Sequence, residues 1–267
     1  MGDLGFAIPS YYLYVVFFTT GLAIGSFLNV CIYRLPLGLS IVRPASHCPK
    51  CDKPIAFWQN IPIFSYIVLR GKCYYCGQRI SLRYPFVELL NGVFYAFAFH
   101  RFGLTYYSLF YVVLLSALIV ITFIDIDHQI IPDVITIPGV VIGLVAASVI
   151  LPDLYGYGGV LGFTWSVVGL LVGGGIFYVI AVVSKGGMGG GDIKLMAMLG
   201  AMFGWKYVLM TIFIGSLTGS IYGLALMVFK GKDRKTKVPF GPFLAAASVV
   251  ALFYGRDMLM LYLGLSD

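Results

Sequence analysis

The sequence predicts an all-α polytopic membrane protein with about eight transmembrane helices and a small cytoplasmic zinc-binding module between the first two. Of the 267 residues, 60% are hydrophobic and only 11% are charged, whereas a soluble globular protein has roughly 25% charged residues. The hydrophobic residues fall in stretches close to the length of about 20 residues that a spanning helix needs. Four of the five cysteines form two Cys-x-x-Cys pairs inside the longest polar segment. A soluble monomer, a disordered chain and a coiled coil are excluded by this composition.

Eight stretches with few charges are candidates for spanning helices. They cover residues 11–33, 86–102, 104–124, 134–151, 160–183, 195–205, 207–229 and 238–263. The second and sixth are short, and Gly200 and Gly204 interrupt the sixth. The first is predicted to be retained rather than cleaved as a signal peptide, because no basic region precedes it and Arg34 follows it.

Lysine and arginine residues are divided unevenly between the two sides of this arrangement. Loops on one side carry 15 of the 18 basic residues, and loops on the other side carry three. The basic loops are residues 34–85, 125–133, 184–194 and 230–237. Loops rich in Lys and Arg stay in the cytoplasm, so these loops are predicted to be cytoplasmic and both termini to lie outside. The clustering therefore reflects orientation in a lipid bilayer, and no nucleic-acid partner is expected.

Segment 34–85 contains the two Cys-x-x-Cys pairs, 21 residues apart. The pairs are Cys48 with Cys51 and Cys73 with Cys76. Two such pairs at this spacing suit a tetrahedral four-thiolate zinc site, which has no open position and is therefore structural. A redox pair and a module without metal remain as alternatives, although the reducing cytosol disfavours a disulfide. His47 is a possible substitute ligand, but a loop side chain is the favoured interpretation.

Acidic residues cluster at two places on the predicted cytoplasmic side. Asp125, Asp127 and Asp133 follow the third span, and Asp192 follows three glycines at the start of the sixth. Two carboxylates within hydrogen-bond reach share a proton, so that one is a base and the other an acid toward water. A catalytic role is favoured for Asp125 and Asp192. For Asp133 a helix-start role is favoured, and for Asp127 a supporting role and simple solvation of the loop both stay open.

The glycine run before Asp192 has a competing interpretation as a phosphate-binding loop. It lacks the Gly-Lys-Ser/Thr ending of that motif, and no βαβ unit surrounds it. Nucleotide binding is therefore not expected. Glycine here would instead allow a substrate backbone to approach the carboxylate closely.

Four motifs in order resemble the bacterial type IV prepilin peptidases, also called leader peptidase/N-methyltransferases, which are GxGD-type aspartyl proteases. The motifs are Gly25-Ser26-Phe27-Leu28-Asn29-Val30 with Arg34-Leu35-Pro36, the double Cys-x-x-Cys, Arg83-Tyr84-Pro85-Phe86-Val87-Glu88, and the acidic pair Ile124-Asp125-Ile126-Asp127 to Pro132-Asp133 with Gly189-Gly190-Gly191-Asp192. The resemblance runs from about residue 20 to residue 245. A single GxGD motif would be weak evidence, but this ordered set is highly specific.

The resemblance implies an enzyme of the bacterial inner membrane with two activities, serving type IV pili or type II secretion. It would cut the basic leader from prepilins or pseudopilins at the cytoplasmic face and N-methylate the new terminus with S-adenosylmethionine. The family's catalytic aspartates correspond to Asp125 and Asp192, with Asp127 as the alternative for the first, and Glu88 is a candidate for cofactor binding. The implied division is a first transmembrane helix (1–33), a cytoplasmic four-cysteine zinc module (34–85) and a transmembrane peptidase domain (86–267).

Two rival functions are disfavoured by the sequence. A transporter would have acids near the middle of the bilayer and internal repeats, whereas here the acids lie at span ends and no repeat is visible. A peptidase without methylation would resemble the relatives that lack the cysteine module, and this chain has both cysteine pairs.

Overall fold

The structure, a computed structural model, describes residues 10–156, 158–185, 187–230 and 238–264. It is helical, and β-structure in the described residues is confined to three isolated bridges. The helices are α1 (Ser10–Arg34), α2 (Phe64–Val68), α3 (Arg83–Phe102), α4 (Tyr106–His128), α5 (Asp133–Val149), α6 (Phe163–Val183), α7 (Gly190–Lys230) and α8 (Gly241–Tyr262). Short 3-10 helices occupy Leu35–Leu37 and Phe57–Asn60.

Five of these helices, α1, α4, α6, α7 and α8, are long and apolar enough to cross a membrane. Helix α5 is apolar but has 17 residues, and α3 carries Arg83, Glu88 and Arg101. The fold is that of a polytopic membrane protein. The predicted loop 230–237 lies outside the described residues beyond Lys230.

Helix α7 joins the sixth and seventh predicted spans into one element of 41 residues. Its backbone leaves the helical conformation at Gly204, where φ is 79° and ψ is 177°. A positive φ is easily adopted only by glycine, so Gly204 is the residue that permits this sharp kink. The interruption expected from the glycines is present, but it does not separate two helices by a loop.

The chain forms two compact units, residues 1–120 and 121–267. In the first unit α1 packs on α3, where a Cβ added to Gly21 would lie 2.7 Å from the Cα of Gly92. In the second unit α7 packs against α5, α6 and α8. The backbones of α6 and α7 meet at Gly169 and Gly200, each of which would collide with the other's carbonyl oxygen if it carried a Cβ. Small residues permit this close approach of the helices. In lipid there is no hydrophobic driving force between helices, so close packing of this kind drives their association.

Candidate active site and metal centre

Asp125 and Asp192 lie at helix ends in the second unit and are both buried, with 6% and 9% of their surface exposed. Asp125 is in the last turn of α4, which continues to His128 instead of ending before the acid as the sequence suggested. Asp192 is the third residue of α7. The charge of Asp125 acts on the Asp192 carboxyl, so the two groups lie near each other. The structure therefore brings together the two acids favoured by sequence analysis.

Asp127 is two residues from Asp125 but is exposed to solvent. On an α-helix, residues two apart point to different faces. The buried position thus belongs to Asp125, and the alternative acid lies on another side of α4.

The carboxylate of Asp125 is bound by the start of α8. The backbone N–H of Gly241 donates a hydrogen bond of 2.9 Å to Oδ2 of Asp125, across 116 residues of sequence. A Cβ at position 241 would lie 2.7 Å from the same oxygen. This contact therefore requires a glycine.

The glycines before Asp192 differ in their surroundings. A Cβ at Gly191 would lie 2.8 Å from the Cβ of Ile131, so this glycine lets the start of α7 pack against the segment that precedes α5. Gly190 has open space around its Cα, and a Cβ at Gly189 would lie 3.0 Å from Oδ2 of Asp192. Close approach of a substrate backbone is thus available at Gly190 and not at Gly191.

Asp133 is the first residue of α5, as predicted, and its carboxylate also forms an ion pair. Lys194 Nζ lies 2.6 and 2.7 Å from the two oxygens of Asp133. Lys194 is two residues beyond Asp192 in α7, so the pair joins the first turn of α5 to the second turn of α7. Both side chains are about half exposed, which makes the pair a weak contributor to stability.

The four cysteines of the first unit come together as the spacing predicts. Their sulfur atoms all lie within 4.8 Å of one another, and those of Cys48 and Cys76 are 3.8 Å apart. Tetrahedral zinc, with Zn–S bonds of about 2.3 Å, separates its thiolates by about 3.8 Å. The cluster is therefore arranged to hold a metal ion of this kind.

The two cysteine loops share one backbone pattern. The N–H of Cys48 donates to the carbonyl of Lys53, and that of Cys73 donates to Gln78. Each loop then reverses through a residue with positive φ, Asp52 in the first and Gly77 in the second. Such turns direct backbone N–H groups toward sulfur.

Backbone hydrogen bonds also favour a thiolate in the first loop. The N–H groups of Cys51 and Lys50 lower the pKa of the Cys48 thiol to about 6. Metals bind the thiolate form of cysteine. His47 lies outside the four-sulfur cluster, with its ring 3.7 Å from Asp52.

Glu88 is buried near the start of α3 and accepts a hydrogen bond from within the chain. The backbone N–H of Ile63 donates to its Oε2 at 2.8 Å, and the Ser26 hydroxyl of α1 also interacts with the carboxylate. The sequence motifs marked Glu88 but gave no sign of its contact with Ile63.

Sequence analysis also missed Gly241. The only available signal was Phe240-Gly241-Pro242 at the start of the last apolar stretch, which indicates a helix start. Its contact with Asp125 depends on how α4 and α8 pack, which a single sequence does not specify.

Two buried carboxylates that act on each other, one at the end of α4 and one at the start of α7, are suited to acid–base chemistry on a bound water molecule. A pair of like charges in one buried site favours a state in which a single proton is shared. The site needs no metal or nucleophilic side chain for this chemistry.

Comparison with known proteins covers most of the chain. Residues 19–102 match the bacterial peptidase A24 N-terminal domain, and residues 112–224 match the type IV leader peptidase family. A prepilin leader peptidase/N-methyltransferase of Legionella pneumophila is 37% identical, over 95% of this chain and 96% of the relative. The protein of the same description from Pseudomonas aeruginosa is 38% identical over 91% of each chain, and that from Myxococcus xanthus is 39% identical over 85% of this chain and 68% of its own. No solved structure matches the chain.

Proposed function

Because the chain belongs to the type IV leader peptidase family, we propose that Asp125 and Asp192 are the acids with which it cuts its substrates. The enzyme removes the basic leader peptide from type IV prepilins or pseudopilins and N-methylates the new N-terminal residue. The observation that carries the assignment of the acids is their shared buried site, from which Asp127 is turned away.

In the proposed cleavage, a water molecule is bound between the two carboxylates. The ionised carboxylate takes a proton from the water while the water oxygen attacks the scissile carbonyl carbon. The protonated carboxyl donates its proton to the carbonyl oxygen. The tetrahedral intermediate then breaks at the C–N bond, and the proton taken from water passes to the leaving amine. As the carbonyl re-forms, a hydroxyl proton of the intermediate returns to the carboxylate that acted as the acid. Gly241 holds Asp125 through Oδ2 during this cycle, and the open space at Gly190 admits the substrate backbone.

The four-cysteine cluster is proposed to bind one structural zinc ion through Cys48, Cys51, Cys73 and Cys76. Zinc held by four thiolates cross-links loops and has no position for a substrate. The metal would thereby order the module of residues 34–85, which has little core of its own.

S-adenosylmethionine is the proposed methyl donor, and when bound it supplies an electrophilic methyl group for the new N-terminal amine. The ammonium and ribose hydroxyls of this molecule are hydrogen-bond donors. Glu88 is a buried carboxylate and therefore a hydrogen-bond acceptor, so its chemistry fits a donor of this kind. We place it in the cofactor site on that basis.

The proposed arrangement in the membrane has about eight spans, in which α3, α5 and the two halves of α7 also cross. The cysteine module and the aspartates would face the cytoplasm of the bacterial inner membrane, and both termini would lie outside. This follows from the basic loops and from the placement of both acids at helix ends. The division into 1–33, 34–85 and 86–267 is retained as part of the proposal.

The experiment that tests this function combines purified enzyme, a synthetic prepilin and labelled S-adenosylmethionine. Mass spectrometry of the products is expected to show the mature chain carrying one additional methyl group. An Asp127→Asn variant should give the same products, whereas Asp125→Asn and Asp192→Asn should leave the prepilin uncut. Cleavage by either of the latter two variants at the normal rate would overturn the assignment of the acids.

A further inference from the structure

One segment of the cysteine module is apolar and has no charge. Residues 54–69 are 16 consecutive uncharged residues, bounded by Lys53 and Arg70. The rest of segment 34–85 holds eight basic residues and a single acid, Asp52. At 16 residues this run is shorter than the roughly 17–25 residues of a spanning helix, and its polar residues Gln59, Asn60 and Ser65 interrupt it further.

The large apolar side chains of this segment are exposed. Its two short helices, Phe57–Asn60 and α2, contain no buried residue. Phe57 is 89% exposed, and Phe64 and Ile67 are 61% and 67% exposed. Several large exposed apolar side chains close together in sequence are unfavourable on a water-facing module, so another apolar medium is expected to cover them.

The Glu88 contact fixes where the segment lies along the neighbouring helices. Ile63 is bound to Glu88, which lies five residues, or about 7.5 Å, into α3. Glu88 in turn packs against Gly25, nine residues or about 13 Å before the end of α1. The headgroup region of a bilayer is about 5–8 Å thick on each side. With the helix ends at Arg34 and Arg83 placed at the outer edge of the headgroups, both distances carry the segment to the boundary between headgroups and acyl chains.

The backbone of Ile63, which binds Glu88, also has an unusual conformation. Ile63 has φ 59°, which is rare for a β-branched residue, and the Phe64 N–H donates to the Pro62 carbonyl at 2.5 Å in a tight turn. The carboxylate of Glu88 binds the N–H of the strained residue itself. The turn is thus pinned to α3 with Phe64 exposed beside it.

We propose that residues 54–69 form an apolar anchor that inserts into the interfacial region of the lipid bilayer beside α1 and α3. Lys53 and Arg70, at the ends of the segment, then lie at the level of the lipid phosphates, where cations are attracted to anionic headgroups. Aromatic side chains such as Trp58 favour the same region. The anchor thereby holds the cysteine loops at the membrane surface, in addition to their attachment through α1 and α3.

Tryptophan fluorescence in vesicles tests the anchor without an activity assay. The three tryptophans, Trp58, Trp165 and Trp205, are changed to Phe, and one tryptophan is returned as Phe64→Trp. The full chain is reconstituted in phosphatidylcholine–phosphatidylglycerol vesicles with or without brominated acyl chains. The control returns tryptophan as His47→Trp, because His47 lies beside Asp52, whose side chain is 93% exposed.

Brominated chains are expected to quench tryptophan at position 64 at about twice the fraction seen at position 47, and acrylamide in the water should show the opposite order. A second probe, Ile67→Trp, is expected to behave like position 64 and guards against local misfolding at the pinned turn. Equal acrylamide quenching at all three positions without lipid quenching would overturn the proposal. Protection of position 64 from acrylamide that is lost when the protein is diluted in lipid would instead indicate that a second copy of the chain covers the segment. Protection that appears only with added prepilin would indicate that the substrate covers it, and either result would overturn the proposal.

Discussion

The backbone N–H of Gly241 at the start of α8 and Oδ2 of Asp125 at the end of α4 are joined by a hydrogen bond of 2.9 Å. Asp125 is therefore oriented by a helix that has no catalytic side chain at this point. The absence of a side chain at position 241 is what allows the contact, since a Cβ there would lie 2.7 Å from the carboxylate oxygen.

Gly241→Ala is expected to displace the Asp125 carboxylate and lower kcat for prepilin cleavage by about 10- to 100-fold, because small misplacements of reacting groups are costly. Methylation of an already cut substrate should change little. The measurement is kcat and KM for both reactions with purified enzyme. Gly175→Ala is the matched control, since a Cβ at Gly175 in α6 meets open space. An unchanged kcat in the Gly241 variant would show that α8 does not position Asp125.

Asp125→Asn and Asp192→Asn are each expected to lower the cleavage rate by several orders of magnitude, because an amide cannot exchange the shared proton. Asp127→Asn should stay within a few-fold of the unchanged enzyme, since Asp127 is exposed on another face of α4. Single-turnover cleavage assays separate these outcomes. If the Asp127 variant is inactive and the Asp125 variant active, the roles of the two acids are reversed.

Gly190 and Gly191 are adjacent but should respond differently to alanine. Gly191→Ala pushes Ile131 away and shifts the start of α7, so a fall in kcat and in thermal stability is expected. Gly190→Ala has space for its methyl group and should leave stability unchanged while raising KM, if substrate approaches there. Melting temperatures and steady-state kinetics of the two variants provide the comparison. Equal effects on stability would contradict the packing difference.

Elemental analysis of purified protein is expected to find about one zinc per chain. Cys73→Ser should lower the zinc content and speed proteolysis within segment 34–85, because three thiolates bind zinc less tightly than four. Cys31→Ala is the control, since Cys31 lies in α1 outside the cluster. A chelator should impair methylation before cleavage, because the aspartate pair needs no metal. Variants without zinc that methylate normally would exclude a link between the metal and the cofactor site.

Glu88→Gln is expected to weaken methylation at least tenfold while cleavage persists, since the amide keeps the size of the side chain but loses an ionic acceptor. Labelled methyl transfer to a pre-cut prepilin measures this directly. The KM for S-adenosylmethionine should rise more than kcat falls. A change in kcat alone would indicate that Glu88 acts only by holding Ile63 and the turn around it.

The sequence predicts those features that depend on local spacing. The distance between the cysteine pairs predicts the four-sulfur cluster, and the charge pattern places Asp125 and Asp192 at helix ends on one predicted side. Contacts between distant segments are not encoded in any local sequence pattern. The hydrogen bonds of Gly241 with Asp125 and of Ile63 with Glu88 are therefore seen only in the folded structure. The kink at Gly204 was likewise not predictable from the sequence, because a glycine inside an apolar stretch is equally compatible with a loop, a kink or close helix packing.

The bond between Gly241 and Asp125 also has a consequence during synthesis of the protein. Helix α8 leaves the ribosome after α4 and α7, so both acids enter the membrane before the group that orients Asp125 exists. A partly made chain then carries the two carboxylates without the geometry for efficient cutting. The proposed cleavage chemistry would thus become possible only once the last helix has inserted and Gly241 has met Asp125.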